Sequence, residues 1–551
     1  MRISILHKAV YEFLLKSGID CEYVAEEDQI KILIRVEEIE YELCMKFPQY
    51  YPYEFPEIYI VDTKGLRIPT RYSDNMLCLY DLNETLPNPQ RFLEEALETV
   101  LRAKKALIDS TNHENIINYQ LEVVSFWESK ATGRIDYLGN GSSETRLMWS
   151  YEWLEDYFVV ADEKNKIIEF INNSYGIKPK DMVFKRTLFI NTGKQILIRR
   201  NRVKDIEELI SKPDIPMFYN FLSNNNGTGL ILLSADNGVG TCLLSLKLEL
   251  LSGGIKPSRR NIKGILAANK SRRFKRFQVR NFEMKRLFTR GGDGTANFDK
   301  KCLVIGCGSI GSYVSKAIID IGITDNITLL DNDTLNVENL ARHLCGSHHL
   351  CLPEQKSEAL KSELLKHYPA MKCKAIEGNA WEYILNHCSM LNQFDLVLIC
   401  VGNTVIEKKI IQLIKEKAIN SECIILWVEP YMVAGHALVF QKEIDESTEK
   451  SIYDTNGIFN KNILIDSGKY LKSEAGCQSA YAPYAGFEAQ KFVLDFWDVY
   501  YRKIYFQKEK CNYEFTWIGK MKWARQQKFN IKPEWRAKDD RFMELKRIDS
   551  Q

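Results

Sequence analysis

The sequence predicts three parts in chain order: an α+β module, a mixed connecting domain and a doubly wound α/β domain. Three observations carry this reading. At 551 residues the chain is too long for one ordinary core. From residue 301 short apolar strands (KCLVIG, NITLLD, CKAIEG, FDLVLICV, CIILWVE) alternate with helical segments, the pattern of a parallel sheet with helices on both faces. Residues 1–130 instead run helix, strand meander, irregular loop and helices. The boundaries fall at 1–132, 146–265 and 266–551.

In the first part, residues 5–17 read as an amphipathic helix, followed by alternating stretches within 30–47. The pattern then breaks into the proline- and aromatic-rich FPQYYPYEFPEIYIVD, and helices are predicted near 89–108 and 113–130. The stretch ATGRIDYLGNGSSET (131–145) reads as a linker, because Gly and Ser punctuate it. In the connecting domain, MVFKRTLFI, GLILLSA and GTCLLSLKLELL read as strands and carry no chemistry.

Lys plus Arg (75) nearly balances Asp plus Glu (73), so overall charge points to neither a nucleic-acid nor a membrane partner. No apolar run approaches the ~18 residues of a membrane span, and the N-terminal helix lacks a signal peptide's features. The expected location is cytoplasmic. The 14 cysteines are spread singly without a CxxC pair, so neither a disulfide framework nor a four-cysteine zinc site is expected. Most should be buried core thiols.

KCLVIGCGSIGS places Gly306, Gly308 and Gly311 directly after a strand and at the opening of a helix. Such glycines allow a tight turn and close approach of backbone N–H groups to phosphate. Asp331 ends the next strand, twenty residues past Gly311, where an acidic side chain can hold ribose hydroxyls. This fingerprint alone also suits an NAD-dependent oxidoreductase. The run DNDTLNVENLARH then adds Asp333, Asn339 and Arg342, with Lys356 fourteen residues further on. Attack of a carboxylate on the α-phosphate of ATP needs such cations and donors around the triphosphate, whereas hydride transfer does not.

These residues together resemble the adenylation domain shared by ubiquitin-activating enzymes and the bacterial ThiF/MoeB proteins, over roughly residues 270–500. The resemblance implies that Asp331 binds ribose, that Asn339, Arg342 and Lys356 hold phosphates, and that ATP with Mg²⁺ adenylates the C-terminal carboxylate of a small protein. Family members place a Mg²⁺-binding aspartate in a later turn. Here that turn reads CVGN, with Gly402 in the aspartate's place. Asp333 is the substitute candidate, its alternative being a solvated turn residue. Residues 256–290 carry thirteen Lys/Arg and one Glu. The resemblance suggests an arginine reaching ATP from here, Arg276 or Arg280, and a solvated basic helix is the alternative.

Two cysteines stand apart. Cys477, in EAGCQSAYAPY, precedes a helical segment and matches the family's thioester-forming cysteine. Its flanking Gly and Pro suggest an irregular loop, and a helix N-terminus favours the thiolate. Cys78, in SDNMLCLYD, follows the FP/YP run, an order that resembles ubiquitin-conjugating enzymes over residues 1–130. That family's His-Pro-Asn segment is replaced by IPTRYSDN, leaving Thr70 or Asn75 as oxyanion donors, and Cys44 reads as core. The complete order resembles the fused conjugation enzymes of bacterial CBASS anti-phage operons. That implies a homodimer, a cGAS/DncV-like nucleotidyltransferase or other ubiquitin-like protein as acyl donor, and a target protein with a free amine, with no membrane or nucleic acid required. A ThiF/MoeB-like sulfur-carrier adenylyltransferase, with the first module as a scaffold, is the alternative.

Overall fold

The computed structural model describes every residue except 1, 67, 70, 73, 81–84, 113–121, 178–180, 196–201, 238–239, 352–353, 455–456, 475–476, 550 and 551. The chain divides into two compact units, Met1–Ile167 with Asp181–Asn281, and Ile168–Lys180 with Phe282–Gln551. Among the described residues no helix is long and apolar enough to cross a membrane.

The first unit opens with the helix Arg2–Lys16. An antiparallel meander follows: β1 (Cys21–Val24), β2 (Gln29–Val36), β3 (Ile39–Lys46), β4 (Glu57–Ile60) and the short β5 (Met76–Leu77), paired in chain order. Strict alternation in β2, with Ile30, Ile32, Ile34 and Val36 buried between exposed Lys31, Leu33 and Arg35, turns one face to the core. The helix Phe92–Thr111 covers that face with Ala96, Val100, Ala103 and Leu107.

Seven strands of this unit close into a barrel: β6 (Ala131–Leu138), β7 (Arg146–Leu154), β8 (Tyr157–Ala161), β9 (Phe184–Gln195), β10 (Thr228–Asp236), β11 (Thr241–Glu249) and β12 (Lys275–Asn281). Two expectations are corrected here. The stretch 131–145 is no linker over its first half, because β6 pairs with both β12 and β8 and buries Ile135, Tyr137 and Leu138. Its Gly133 serves close strand approach, since a Cβ there would lie 2.0 Å from the Asp156 carbonyl oxygen. The basic stretch 256–290 is not one solvated helix either. It contains the helix Ile262–Ala268, strand β12 and the helix Met284–Arg290. Arg276 is 1% exposed, its guanidinium 4.5 Å from the Trp127 ring centre, and Arg280 pairs with Asp136 at 2.6 Å. Both arginines named for ATP are thus engaged in the barrel wall.

The second unit is built on β13 (Lys301–Ile305), β14 (Asn326–Asp331), β15 (Lys372–Glu377), β16 (Leu396–Ile399) and β17 (Glu422–Val428). They run parallel in the order β15-β14-β13-β16-β17. Cys302 and Val304 enter one apolar cluster, with the helices Ser309–Asp320, Lys356–His367 and Gly486–Tyr500. Leu303 and Ile305 enter another, with the helix Thr404–Lys415. Burial on both faces explains why these strands read as unbroken apolar runs. The sheet continues past β17 through antiparallel β18 (Ala434–Phe440), β21 (Tyr513–Ile518) and β22 (Met543–Arg547). Between β18 and β21 the chain forms a separate two-stranded pair, β19 (Lys472–Glu474) with β20 (Cys477–Tyr481).

Candidate active site

A cleft of about 680 Å³ opens at the carboxyl ends of the parallel strands. Its walls are the turns after β13 (Gly306, Gly308), β14 (Asp331, Asp333), β15, β16 (Cys400–Thr404) and β17. The chain leaves β13 toward β14 on one side, while β16 lies on the other, so the cleft sits at a topological switch point. Backbone turns can splay apart only there, which leaves room for a ligand.

Glycine is required in the first turn. Gly306 has φ of +89°, and a Cβ there would lie 2.9 Å from the Cys400 carbonyl carbon. A Cβ on Gly311 would lie 1.8 Å from the Gly306 carbonyl oxygen, so this glycine seats the helix Ser309–Asp320 on the turn and is itself buried. The helix begins at the cleft with Gly308 as its cap residue, directing the positive end of its dipole into the space. The Ser309 hydroxyl is buried there without a hydrogen-bond partner.

Asp331 accepts from the Cys307 N–H at 2.6 Å through one oxygen and from the Asp333 N–H at 2.7 Å through the other. Burial pushes its carboxyl above the ordinary range, and the two backbone donors oppose that rise. The Lys356 ammonium lies 2.7 Å from Asp333 Oδ2, and the Lys356 N–H donates to the Asp333 carbonyl at 2.8 Å. Asp331, Asp333 and Lys356 are therefore brought together on one wall.

Asn339 and Arg342 lie on the 3₁₀ turn Val337–Arg342. Asn339 Oδ1 accepts from the Asn336 N–H at 3.0 Å, which fixes the turn. Arg342 donates to the Ala482 carbonyl at 3.2 Å and lies 5.0 Å from the Tyr484 ring centre. Ala482 and Tyr484 both face the cleft, so Arg342 holds the cleft wall that follows β20.

After β16, Gly402 has φ of +61°, a backbone that disfavours an aspartate, although its Cβ position is open. Asn403 caps the helix Thr404–Lys415, its side chain accepting from the Val405 and Ile406 N–H groups. The first turn of that helix carries the residue that sequence reasoning missed. Glu407 is 1% exposed, faces the cleft and has one carboxyl oxygen without a partner. Burial raises its pKa to about 7 against an Asn403 backbone hydrogen bond. In the sequence this glutamate is indistinguishable from its solvated neighbours. After β17, Glu429 also lines the cleft, accepts from the Ile463 and Leu464 N–H groups and pairs with buried His436 at 2.8 Å, fixing the end of that strand.

These observations match the family comparison, which aligns residues 287–479 with the ThiF family. Residues 287–479 form a ThiF domain. It spans every strand of the parallel sheet and each cleft residue named above except Ala482 and Tyr484. The chain is 24% identical over 188 residues to an ATP-dependent ubiquitin transferase-like protein, Cap2 of Pseudomonas aeruginosa, covering 34% of this chain and 32% of that protein. It is 33% identical over 78 residues to the ubiquitin-like modifier-activating enzyme ATG7 of Yarrowia lipolytica, covering 14% and 13% respectively. The matches thus span about a third of the first relative and less of the second. A crystal structure of E. coli MccB with AMPCPP and MccA aligns at a TM-score of 0.31 and 14% identity, over 63% of this chain and 82% of that one.

Cys477 is the first residue of β20, its backbone in register with Glu474 of β19. The helix expected to favour its thiolate starts nine positions later, at Gly486, and the irregular loop predicted around Cys477 is a strand. In the first unit Cys78 is exposed, just past β5. A hydrogen bond with Cys78 raises the Tyr72 hydroxyl to about 12. Tyr80 stacks on Phe55 at 3.8 Å and bonds to Thr99 at 2.8 Å, fixing the chain beyond the thiol against the helix Phe92–Thr111. Asn75 takes a turn conformation, φ +73°, with Oδ1 accepting from Arg71 at 3.3 Å. Thr70 lies outside the described residues. Cys44 is buried and bonds to Gln29, as a core thiol should.

Proposed function

We propose that the chain activates the C-terminal carboxylate of a ubiquitin-like or cGAS/DncV-like protein with ATP and passes it through two cysteines to an amine. The observation that carries this is the convergence on one cleft of a glycine turn, an open helix N-terminus with the unpartnered Ser309 hydroxyl, and Lys356. Backbone N–H groups and a hydroxyl with no protein partner suit phosphate oxygens. Asp331 offers its remaining lone pairs to ribose hydroxyls. Lys356 neutralises charge on the triphosphate, and Arg342, braced on Ala482, extends the positive field to the wall where the acyl group arrives.

Mg²⁺, when bound, would neutralise phosphate charge, and the carboxylate at hand is Asp333. Its Oδ2 is the atom held by Lys356, so the two side chains would have to share the phosphates.

In this reading Cys477 attacks the acyl adenylate, forming a thioester and releasing AMP. Cys78 then accepts the acyl group by thiol exchange, and a target amine attacks last. Support comes from the order of the first module, a helix, meander, exposed cysteine and helix, and from the similarity of part of the chain to two ubiquitin-type enzymes. The ATP-site test is pyrophosphate–ATP exchange with a cGAS/DncV-like protein from the same genome. Arg342→Ala and Lys356→Ala should each lower exchange at least about tenfold. Undiminished exchange in both variants would sink the assignment.

A further inference from the structure

Past Arg342 the chain returns to Lys356 through a loop that the ATP chemistry does not use. Its ends are tied down: the His343 ring bonds to the Cys307 carbonyl of the glycine turn at 2.7 Å, and Lys356 opens the next helix. Between them the 3₁₀ turn Ser347–Leu350 presents two adjacent histidines to Glu363, two turns along that helix.

We propose that His348, His349 and Glu363 form a transition-metal site of the class that takes Zn²⁺, joining this loop to the helix that begins with Lys356. Among the described residues these three bring one ligand atom each to within 4.8 Å of one another. Glu363 Oε2 lies 3.2 Å from His348 Nε2 and 3.1 Å from His349 Nε2. Two ligands of one tetrahedral ion, each at ~2.0–2.1 Å, stand about 3.4 Å apart, so both spacings are close to what an ion would impose.

The surroundings of His349 add a second, independent feature. Its ring is buried, and its other nitrogen, Nδ1, lies 2.7 Å from Glu354 Oε2. A metal-bound imidazole usually donates its remaining N–H to a carboxylate, which fixes the tautomer and turns the free lone pair toward the ion. His348 shows the same lone-pair direction, because its Nε2 accepts from the Lys366 ammonium, which also lies 3.0 Å from Glu363 Oε2. A cation thus already rests on two of the three ligand atoms. Lys366 is part-exposed and can swing to water, leaving two neutral imidazoles and a carboxylate. That N₂O set suits Zn²⁺, with water as fourth ligand.

The competing account is an ion-pair cluster in which a proton on His349 links Glu354 and Glu363. Tag-free full-length protein dialysed against Zn²⁺ and then against buffer separates the two. The metal account predicts about one retained equivalent, lost in the His348→Ala/His349→Ala variant, with Glu354→Gln weakening Zn²⁺ by roughly 10–100-fold in a chelator competition. Lys366→Ala should bind at least as tightly as wild type. Co²⁺ loading should give d–d absorption without a thiolate charge-transfer band, a readout that does not depend on a variant folding. No retained Zn²⁺, equal retention in the double-histidine variant, or a thiolate band would each overturn the proposal. None of these results depends on the adenylation reading.

Discussion

Replacing Glu407 with glutamine should stabilise the ThiF domain, and increasingly so as pH rises. The residue is 1% exposed, one carboxyl oxygen has no partner, and burial lifts its pKa from the ordinary 4.5 to about 7. The folded state therefore holds the proton to higher pH than the unfolded chain. The cost of burying the anion is absent below about 4.5, grows between the two values, and is complete above about 7. That interval at ~1.4 kcal/mol per pH unit gives about 3 kcal/mol of destabilisation at pH 8.5, and about 1 kcal/mol at pH 5.5. Glutamine keeps the shape and removes the charge. Chemical denaturation of wild type and Glu407→Gln at both pH values, followed by a tryptophan signal, should show a stabilisation larger at pH 8.5 by about 2 kcal/mol. A pH-independent difference, or loss of stability at pH 8.5, would refute the account of Glu407 as an uncompensated buried acid.

Two further outcomes follow from the same walls. Asp333→Asn should raise the Mg²⁺ concentration needed for half-maximal pyrophosphate exchange; an unchanged requirement would return Asp333 to a turn residue paired with Lys356. Gly402→Ala should cost about 1–2 kcal/mol in denaturation because of the left-handed backbone, and an unaffected midpoint would show that the turn tolerates a Cβ.

The parallel sheet was legible because strands buried on both faces leave unbroken apolar runs, and the glycine spacing fixed the cleft after β13. Asp331, Asp333 and Lys356 were legible too, since their spacing follows from one strand, one turn and one helix start. Other features depend on partners distant in sequence. Strand β6 was hidden by the Gly and Ser residues of 131–145, which read as a linker until β8 and β12 pair with its first half. Arg276 read as a candidate for ATP or as part of a solvated helix, yet it is buried against Trp127, far earlier in the chain. Glu407 sits on a helix whose other charges are exposed or half-exposed, and only the cleft distinguishes it. Strands β18, β21 and β22 went unassigned because an antiparallel extension carries no βαβ rhythm.

The relay between the cysteines is the central claim, and gels with and without reductant test it most directly. With ATP, Mg²⁺ and a cGAS/DncV-like protein of the same genome, Cys477→Ala should keep pyrophosphate exchange but form no reducible adduct on the chain. Cys78→Ala should accumulate a reducible thioester at Cys477 and yield no conjugate that survives reductant, because a thioester is cleaved where an amide is not. A Cys78→Ala protein that conjugates at the wild-type rate, or a Cys477→Ala protein that still forms the thioester, would contradict the relay.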